Sequence, residues 1–253
     1  MALRLGIRYP LLSDPDSAII RAFGILNTNI PEGHEWYGIP FPGTYIVDES
    51  GTVRSKYFEE SHRQRFTADT VLTREFGVGG GERQIVQTQH LTLRAYPSED
   101  TVRPGNRLML VVEIEMPPKM HVYAPGVAGY RPVSFSIEEN PALRVHEPEF
   151  PKPEILHLPV IQERVPVYQG KVRITRDVTL SPRFKGPELE IPASFAYQAC
   201  DDRVCYPPTT VPFRFKLRLE SHDRERVPES LRKRGATPEE ASAGSKRLKG
   251  GLK

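Results

Sequence analysis

Along the middle of the chain, hydrophobic and polar residues alternate with a period of two. In FRFKLRLE, Phe213, Phe215, Leu217 and Leu219 take one parity, and Arg214, Lys216, Arg218 and Glu220 the other. In KVRITRDVTL, Val172, Ile174, Val178 and Leu180 share a side, with Arg176 as the exception; Lys171, Arg173, Thr175, Asp177 and Thr179 take the opposite side. Val133, Phe135 and Ile137 alternate with Ser134, Ser136 and Glu138. Successive strand side chains point to opposite faces, so these runs predict antiparallel strands with one side on a core. Residues 108–116 are more continuously apolar and suit a central strand. Prolines fall between the runs, where they cost no ladder hydrogen bond. Seven or more short strands over about 135 residues predict a mainly β architecture, a two-sheet sandwich of immunoglobulin-like type over residues 84–220.

The first 76 residues carry a different pattern. SDPDSAIIRAFGI offers Ser13 or Asp14 as a cap, Pro15 in the first turn, Ile19, Ile20 and Phe23 at helical spacing, and Gly24 as a stop. TYIVDESGTVRSKYFE reads as a hairpin turning at residues 48–51. TADTVLTREFG reads as a helix capped by Thr67 and ended by Gly77. Residues 77–83 are glycine-rich and predict a linker. Residues 221–253 hold almost no large apolar side chain and predict a disordered polar tail, with a short helix near 228–234. The expected order is an α/β segment (1–76), a linker (77–83), a sandwich (84–220) and a tail (221–253).

Composition narrows the function. With 253 residues and 38% hydrophobic content a packed core is within reach, and a net charge of +3 gives no basic footprint for nucleic acid. No run approaches the roughly 18 apolar residues of a membrane span. MALRLGIRYP lacks the apolar stretch of a secretory signal, which leaves the compartment open between cytoplasm and periplasm.

Both cysteines of the chain lie in YQACDDRVCYPP, residues 197–208. Asp201 and Asp202 are turn formers. The pair is therefore expected to close a hairpin with Cys200 and Cys205 facing each other. Opposed residues on antiparallel strands have Cα atoms about 4.5–5.5 Å apart, within the range a disulfide accepts. Such a bond closes a small loop and adds little chain-entropy stabilisation, which favours redox exchange over a staple. A structural disulfide, or two buried thiols, remains the alternative. A metal site lacks the further cysteine that would complete a tetrahedral set. Asp201 and Asp202 disfavour a thiolate and Arg203 favours one. Tyr197, Tyr206, Pro207 and Pro208 flank the pair and are candidates to shield it.

YQACDDRVCYPP resembles the cysteine motif of the amino-terminal domain of thiol:disulfide interchange protein DsbD, a likeness that extends over residues 91–219. The resemblance implies an immunoglobulin-like sandwich whose reversible cysteine pair exchanges electrons with thioredoxin-fold partners. It makes Cys200 and Cys205 the redox pair, with Cys205 engaging the partner. VPVYQGKVRI is similar to the family's cap region, which implies Tyr168 as the cap over the disulfide. KMHVYAP is similar to a strand lining the site, which points to Tyr123 and His121. The cysteines here are one residue closer than in the best-known member, so a different hairpin tip is expected.

Residues 5–76 resemble the second half of redoxins of the peroxiredoxin (AhpC/TSA) group, through YPLLSDPDSAIIRAFGI and PGTYIVDESGTVR. The nucleophilic cysteine of that group lies further upstream, and no cysteine precedes Cys200. Peroxidase chemistry does not carry over, and the segment reads as a truncated thioredoxin-like fold with an under-partnered sheet. Pro40 and Pro42 are candidates for a cis bond beside it.

Two functional readings follow. One is a thiol-disulfide oxidoreductase module acting through Cys200 and Cys205 on a thioredoxin-fold partner, without a cofactor. The other is a non-catalytic binding or structural sandwich attached to an inactive redoxin fragment.

Overall fold

The alternating runs form strands in the computed structural model, which describes residues 8–59, 64–158 and 163–220. The chain begins with helix α1 (Ala18–Ala22) and a hairpin of β1 (Gly43–Val47) and β2 (Val53–Phe58). There follow β3 (Arg65–Phe66), helix α2 (Ala68–Phe76), β4 (Gln84–Gln87), β5 (Thr92–Pro97), β6 (Thr101–Val102), β7 (Asn106–Glu115), β8 (His121–Tyr123) and β9 (Ser134–Ile137). The last strands are β10 (Leu143–Glu149), β11 (Glu154–Leu158), β12 (Glu163–Gln169), β13 (Lys171–Leu180), β14 (Glu188–Tyr197), β15 (Ala199–Cys200) and β16 (Thr209–Leu219). The tail expected over 221–253 lies outside the described residues.

One side of the sandwich is the sheet β10-β13-β7-β5-β4, with β3 added to β7 in parallel. The other side is made by β6-β16-β14-β9 and β11-β12-β8-β15. Between them the apolar parities interdigitate: Leu108, Leu110, Val112, Ile174 and Val178 meet Ile191, Phe195, Phe215 and Leu217, all at most 1% exposed. Arg176 shares the inward parity of β13. It fits because its Nε donates to the His146 carbonyl at 2.7 Å and its Nη1 to the Phe135 carbonyl at 2.7 Å. A half-buried cation is tolerated where its donors are satisfied.

The polar parity of β13 is not all solvated. Asp177 and Thr179 are each 3% exposed: helix α2 lies against Asp177, and His146 Nε2 lies 2.8 Å from Thr179 Oγ1. Arg74 of α2 reaches Asp177 at 2.5 Å and Glu149 at 3.1 Å, and Arg107 of β7 binds Asp177 at 3.0 Å and Glu59 at 3.1 Å. Thr70 Oγ1 meets Ser98 Oγ at 2.9 Å, beside the buried outer-face residues Tyr96, Met109 and Val111. As expected, Thr67 caps α2 by accepting from the Thr70 amide, and Gly77 ends it at φ 65°. Ser55 and Tyr57 of β2 donate to the Glu75 carboxylate of α2, which ties the hairpin to the same helix. The glycine run is packed rather than free: the Gly81 amide donates to the Pro97 carbonyl at 2.7 Å, and a Cβ on Gly80 would come within 3.0 Å of the Tyr96 ring. In space, β3 pairs with β7 and α2 lies on the outer face of the same sheet.

The first helix starts later than the sequence suggests. Ser17 is its N-cap residue, Pro15 precedes it, and the Asp14 carboxylate accepts from the Ile19 and Ile20 amides. Among the described residues no peptide bond is cis, so Pro40 and Pro42 are trans. The two-stranded β1/β2 sheet leaves an aromatic groove of about 490 Å³ lined by Phe23, Phe41, Tyr45 and Phe58. No described helix is long and apolar enough to cross a membrane.

Candidate functional site

The chain changes sheets at Gln198. Up to Tyr197 strand β14 pairs with β16; from Ala199 the backbone pairs instead with β8, Ala199 opposite Val122 and Cys200 opposite His121. The side chain of Gln198 spans the break, donating to the Tyr206 carbonyl at 3.2 Å and accepting from the Arg131 amide at 3.4 Å. Alternation then sorts this sheet into two faces. Val122, Tyr168 and Ala199 enter the main core, whereas Tyr123, Val165, Val167 and Cys200 form a separate cluster on the outer face.

Cys200 and Cys205 face each other across an antiparallel bridge, with Cα atoms 4.1 Å apart, and are joined as a disulfide. Their surroundings differ. Cys200 is 1% exposed, while Cys205 is exposed beside Val204, which is 53% exposed. Cys200 is thus backed by protein while Cys205 lies at the surface.

Asp201 builds the tip between them. Its Oδ1 accepts from the Arg203 and Val204 amides at 2.7 and 2.8 Å, and its Oδ2 from the Tyr206 hydroxyl at 2.7 Å. This is the Asx geometry expected of an aspartate at a turn. The Tyr206 hydroxyl, followed by the two amides, holds the Asp201 carboxyl below its ordinary range, and the same bond raises the Tyr206 phenol. Asp201 is therefore committed to the turn. Asp202 points its carboxylate towards Lys119, 3.6 Å away at the surface.

Tyr123 is the side chain closest in role to the sulfurs. Its hydroxyl lies 3.3 Å from Cys200 Sγ and 3.5 Å from Cys205 Sγ. Bonded sulfurs carry no proton, so the phenol is the donor. Burial first, then the charges of Tyr130 and Glu163, push the Tyr123 phenol up to about 12, which keeps it protonated. His121, 3% exposed and set edge-on to Tyr123 at 5.5 Å, sits opposite Cys200. Burial lowers its pKa, against the pull of Asp202 and Asp201.

Two sequence-based assignments need correction. Tyr168 is not a cap over the disulfide: it pairs with Val122, so its ring enters the core from the opposite face, and its hydroxyl donates to the Pro151 carbonyl at 2.8 Å. Tyr197 also faces the core, 1% exposed, with its hydroxyl 2.8 Å from Thr88 Oγ1. Tyr206 supports the tip from below, its ring 4.4 Å from that of His90. A further ring beside the site is Tyr130, which the sequence did not point to. It stacks on Tyr123 at 4.2 Å and an interplanar angle of 21°, and its hydroxyl donates to Glu163 Oε2 at 2.8 Å. Its one signal was an aromatic residue in the loop GVAGYRP, three residues before a strand-like run. Among the described residues no cluster of His, Cys, Asp and Glu is arranged to hold a metal ion.

Residues 93–217 match the family described as "Thiol:disulfide interchange protein DsbD, N-terminal", and residues 1–56 match the AhpC/TSA family. No curated protein matches the chain. Among solved structures, the N-terminal periplasmic domain of ScsB from Proteus mirabilis is similar at 12% identity and TM-score 0.37, covering 53% of this chain and 49% of that one. The chain thus spans about half the length of that relative. The N-terminal domain of Neisseria meningitidis DsbD in the reduced form is similar at 18% identity and TM-score 0.30, covering 43% and 77%. The yeast GGA1 GAE domain is similar at 10% identity and TM-score 0.32, covering 53% and 98%.

Proposed function

From a chain in which an AhpC/TSA-like stretch precedes a DsbD amino-terminal domain, we propose a thiol-disulfide exchange module that passes electrons between the Cys200–Cys205 pair and a thioredoxin-fold partner. The observation that carries this reading is the inequality of the two cysteines: Cys205 open to solvent, Cys200 sealed behind it. A disulfide is broken by a thiolate attacking one sulfur in line with the bond, with the other sulfur leaving. Cys205 is the sulfur an incoming thiolate reaches, and Cys200 is the leaving group. The mixed disulfide between Cys205 and the partner is then resolved by the partner's second thiol. In the opposite direction Cys205 attacks a partner disulfide, and Cys200 resolves by displacing the partner from Cys205. Either way two electrons move and no cofactor is required.

The Tyr123 hydroxyl adds to this reading, because a donor within 3.3 Å of Cys200 Sγ meets the charge that develops on the leaving sulfur. The AhpC/TSA-like stretch contributes no cysteine, so we assign it no peroxidase chemistry of its own.

The test is trapping. Cys200→Ser leaves Cys205 without its resolving partner, and a thioredoxin-fold protein carrying a disulfide is the bait. A mixed disulfide through Cys205 is expected, whereas Cys205→Ser should trap little through the buried Cys200. Equal trapping by the two variants, or none by either, would sink the proposal and favour a structural sandwich.

A further inference from the structure

The residue opposite Cys200 is a histidine with an unpartnered buried nitrogen. His121 is 3% exposed, and its Nε2 is buried with no hydrogen-bond partner among the described residues. Buried polar atoms nearly always find a partner, so an orphan beside a reactive pair calls for an explanation. The register supplies one. His121 and Cys200 are direct neighbours across β8 and β15, on the outer face shared with Tyr123. Directly opposed side chains have Cβ atoms about 4.5–5.5 Å apart. While the disulfide is intact, Cys200 Sγ offers neither a proton nor a charge. Once it is broken, Sγ offers one or the other.

We propose that His121 is the proton acceptor of the reduced pair, holding Cys200 as a thiolate beside an imidazolium. This rests on the exchange reading for its use in the cell. A reducing dithiol attacks Cys205 Sγ, the S–S bond breaks, and its electron pair stays on Cys200 Sγ. The second thiol of the donor displaces Cys205 and the donor departs as a disulfide, having lost two electrons and two protons. One proton ends on Cys205 Sγ and the other on His121 Nε2. Cys200 then remains ionised, ready to resolve a mixed disulfide at Cys205, and is the better leaving group in the reverse direction.

The other charges around His121 do not take this part. Asp201 is bonded to Arg203, Val204 and Tyr206 within its turn, and Asp202 faces Lys119 at the surface. On the same strand Tyr123 presents a phenol that keeps its proton, and from β12 the register partner of His121 is the uncharged Gln169. The oxidised state favours neutral imidazole because the ring is buried. A thiolate at Cys200 reverses that preference, since an opposite charge within about 4–6 Å raises a histidine pKa and lowers that of a thiol.

The experiment uses the full chain with Cys205→Ser, so that Cys200 is the one thiol, and follows thiolate ultraviolet absorbance against pH. With His121 present, Cys200 is expected to ionise at least about one pH unit lower than in the His121→Phe variant, which is about tenfold more thiolate at a pH below both midpoints. His121→Gln, which keeps hydrogen bonding but does not titrate, should behave like His121→Phe. In the unmutated chain the His121 ring resonances should titrate at higher pH after reduction by a small dithiol than before. Superimposed Cys200 titrations in the three proteins, or a His121 midpoint that ignores the redox state, would overturn the proposal. If a His121 variant does not fold, the resonance measurement on the unmutated chain decides. Trapping can fail while these titrations succeed, so the two ideas fall separately.

Discussion

Tyr123→Phe deletes one oxygen and little else. The ring keeps its stacking on Tyr130 at 4.2 Å and its edge contact with His121 at 5.5 Å. In the oxidised protein the lost hydroxyl donated to two neutral sulfurs, which are weak acceptors, a contribution of about 0.5 kcal/mol at the low end of the hydrogen-bond range. In the reduced protein above the thiol pKa the same hydroxyl faces a thiolate, and a hydrogen bond to a charged group contributes about 1.5–3 kcal/mol. The phenol still has its proton there, because its own pKa stands at about 12. The difference, about 1–2.5 kcal/mol, favours the reduced state. For a two-electron couple about 1.4 kcal/mol corresponds to about 30 mV, so the variant should be harder to reduce by about 20–50 mV. The assay equilibrates both proteins with defined dithiol buffers at a pH near 9, above the ordinary thiol range, and counts free thiols by alkylation. A denaturation curve checks that the variant is folded. An unchanged potential, or one that becomes easier to reduce, would refute the claim that Tyr123 stabilises sulfur charge.

Two further outcomes concern the attachment of residues 64–76 to the sandwich. Arg74→Ala strips Asp177 and Glu149 of a shared cation; removing one partner of a buried pair costs about 3–5 kcal/mol, and the 23% exposure of Arg74 places the expected loss near the lower end. We propose that these residues unfold with the sandwich, so the loss should appear in one cooperative transition, and an unmoved midpoint would show that the helix contributes nothing. Glu99, whose carboxylate accepts from the Thr67 hydroxyl, is pushed up to about 7, chiefly by burial. A folded-state pKa above the unfolded one means that this group's contribution is complete below the unfolded value of about 4.3 and is lost as pH rises through about 7. Subtracting the stability profile of Glu99→Gln from that of the unmutated chain should leave a decline across that window, and parallel profiles would contradict the shift.

What could be read from the residues, and what could not, follows from the range of the forces involved. Alternation revealed β13, β16 and β9, because a half-buried strand has no other way to arrange its side chains. Thr67 and Gly77 announced both ends of α2 through purely local bonds. The burial of Asp177 was hidden, since it depends on Arg74, which lies 103 residues earlier in sequence. The site was legible where it was local: the facing cysteines and their aspartate turn are consecutive in the chain. Tyr168 was misjudged by one step of parity, and a one-residue difference moves a strand side chain to the other face. Tyr130 was missed because nothing in a loop sequence says which ring it will stack on.

The anchorage of α2 and the position of the sulfurs have a joint consequence. The helix covers the outside of the six-stranded sheet, whereas Cys200 and Tyr123 lie on the outside of the opposing layer, with the main core between. Facing sheets are separated by about 10 Å before side chains on either exterior are counted. Helix α2, and the hairpin tied to it through Glu75, therefore lie on one exterior of the sandwich and the Cys200–Cys205 bond on the other. On the exchange reading proposed above, a visiting thiol approaches the exterior that α2 leaves uncovered.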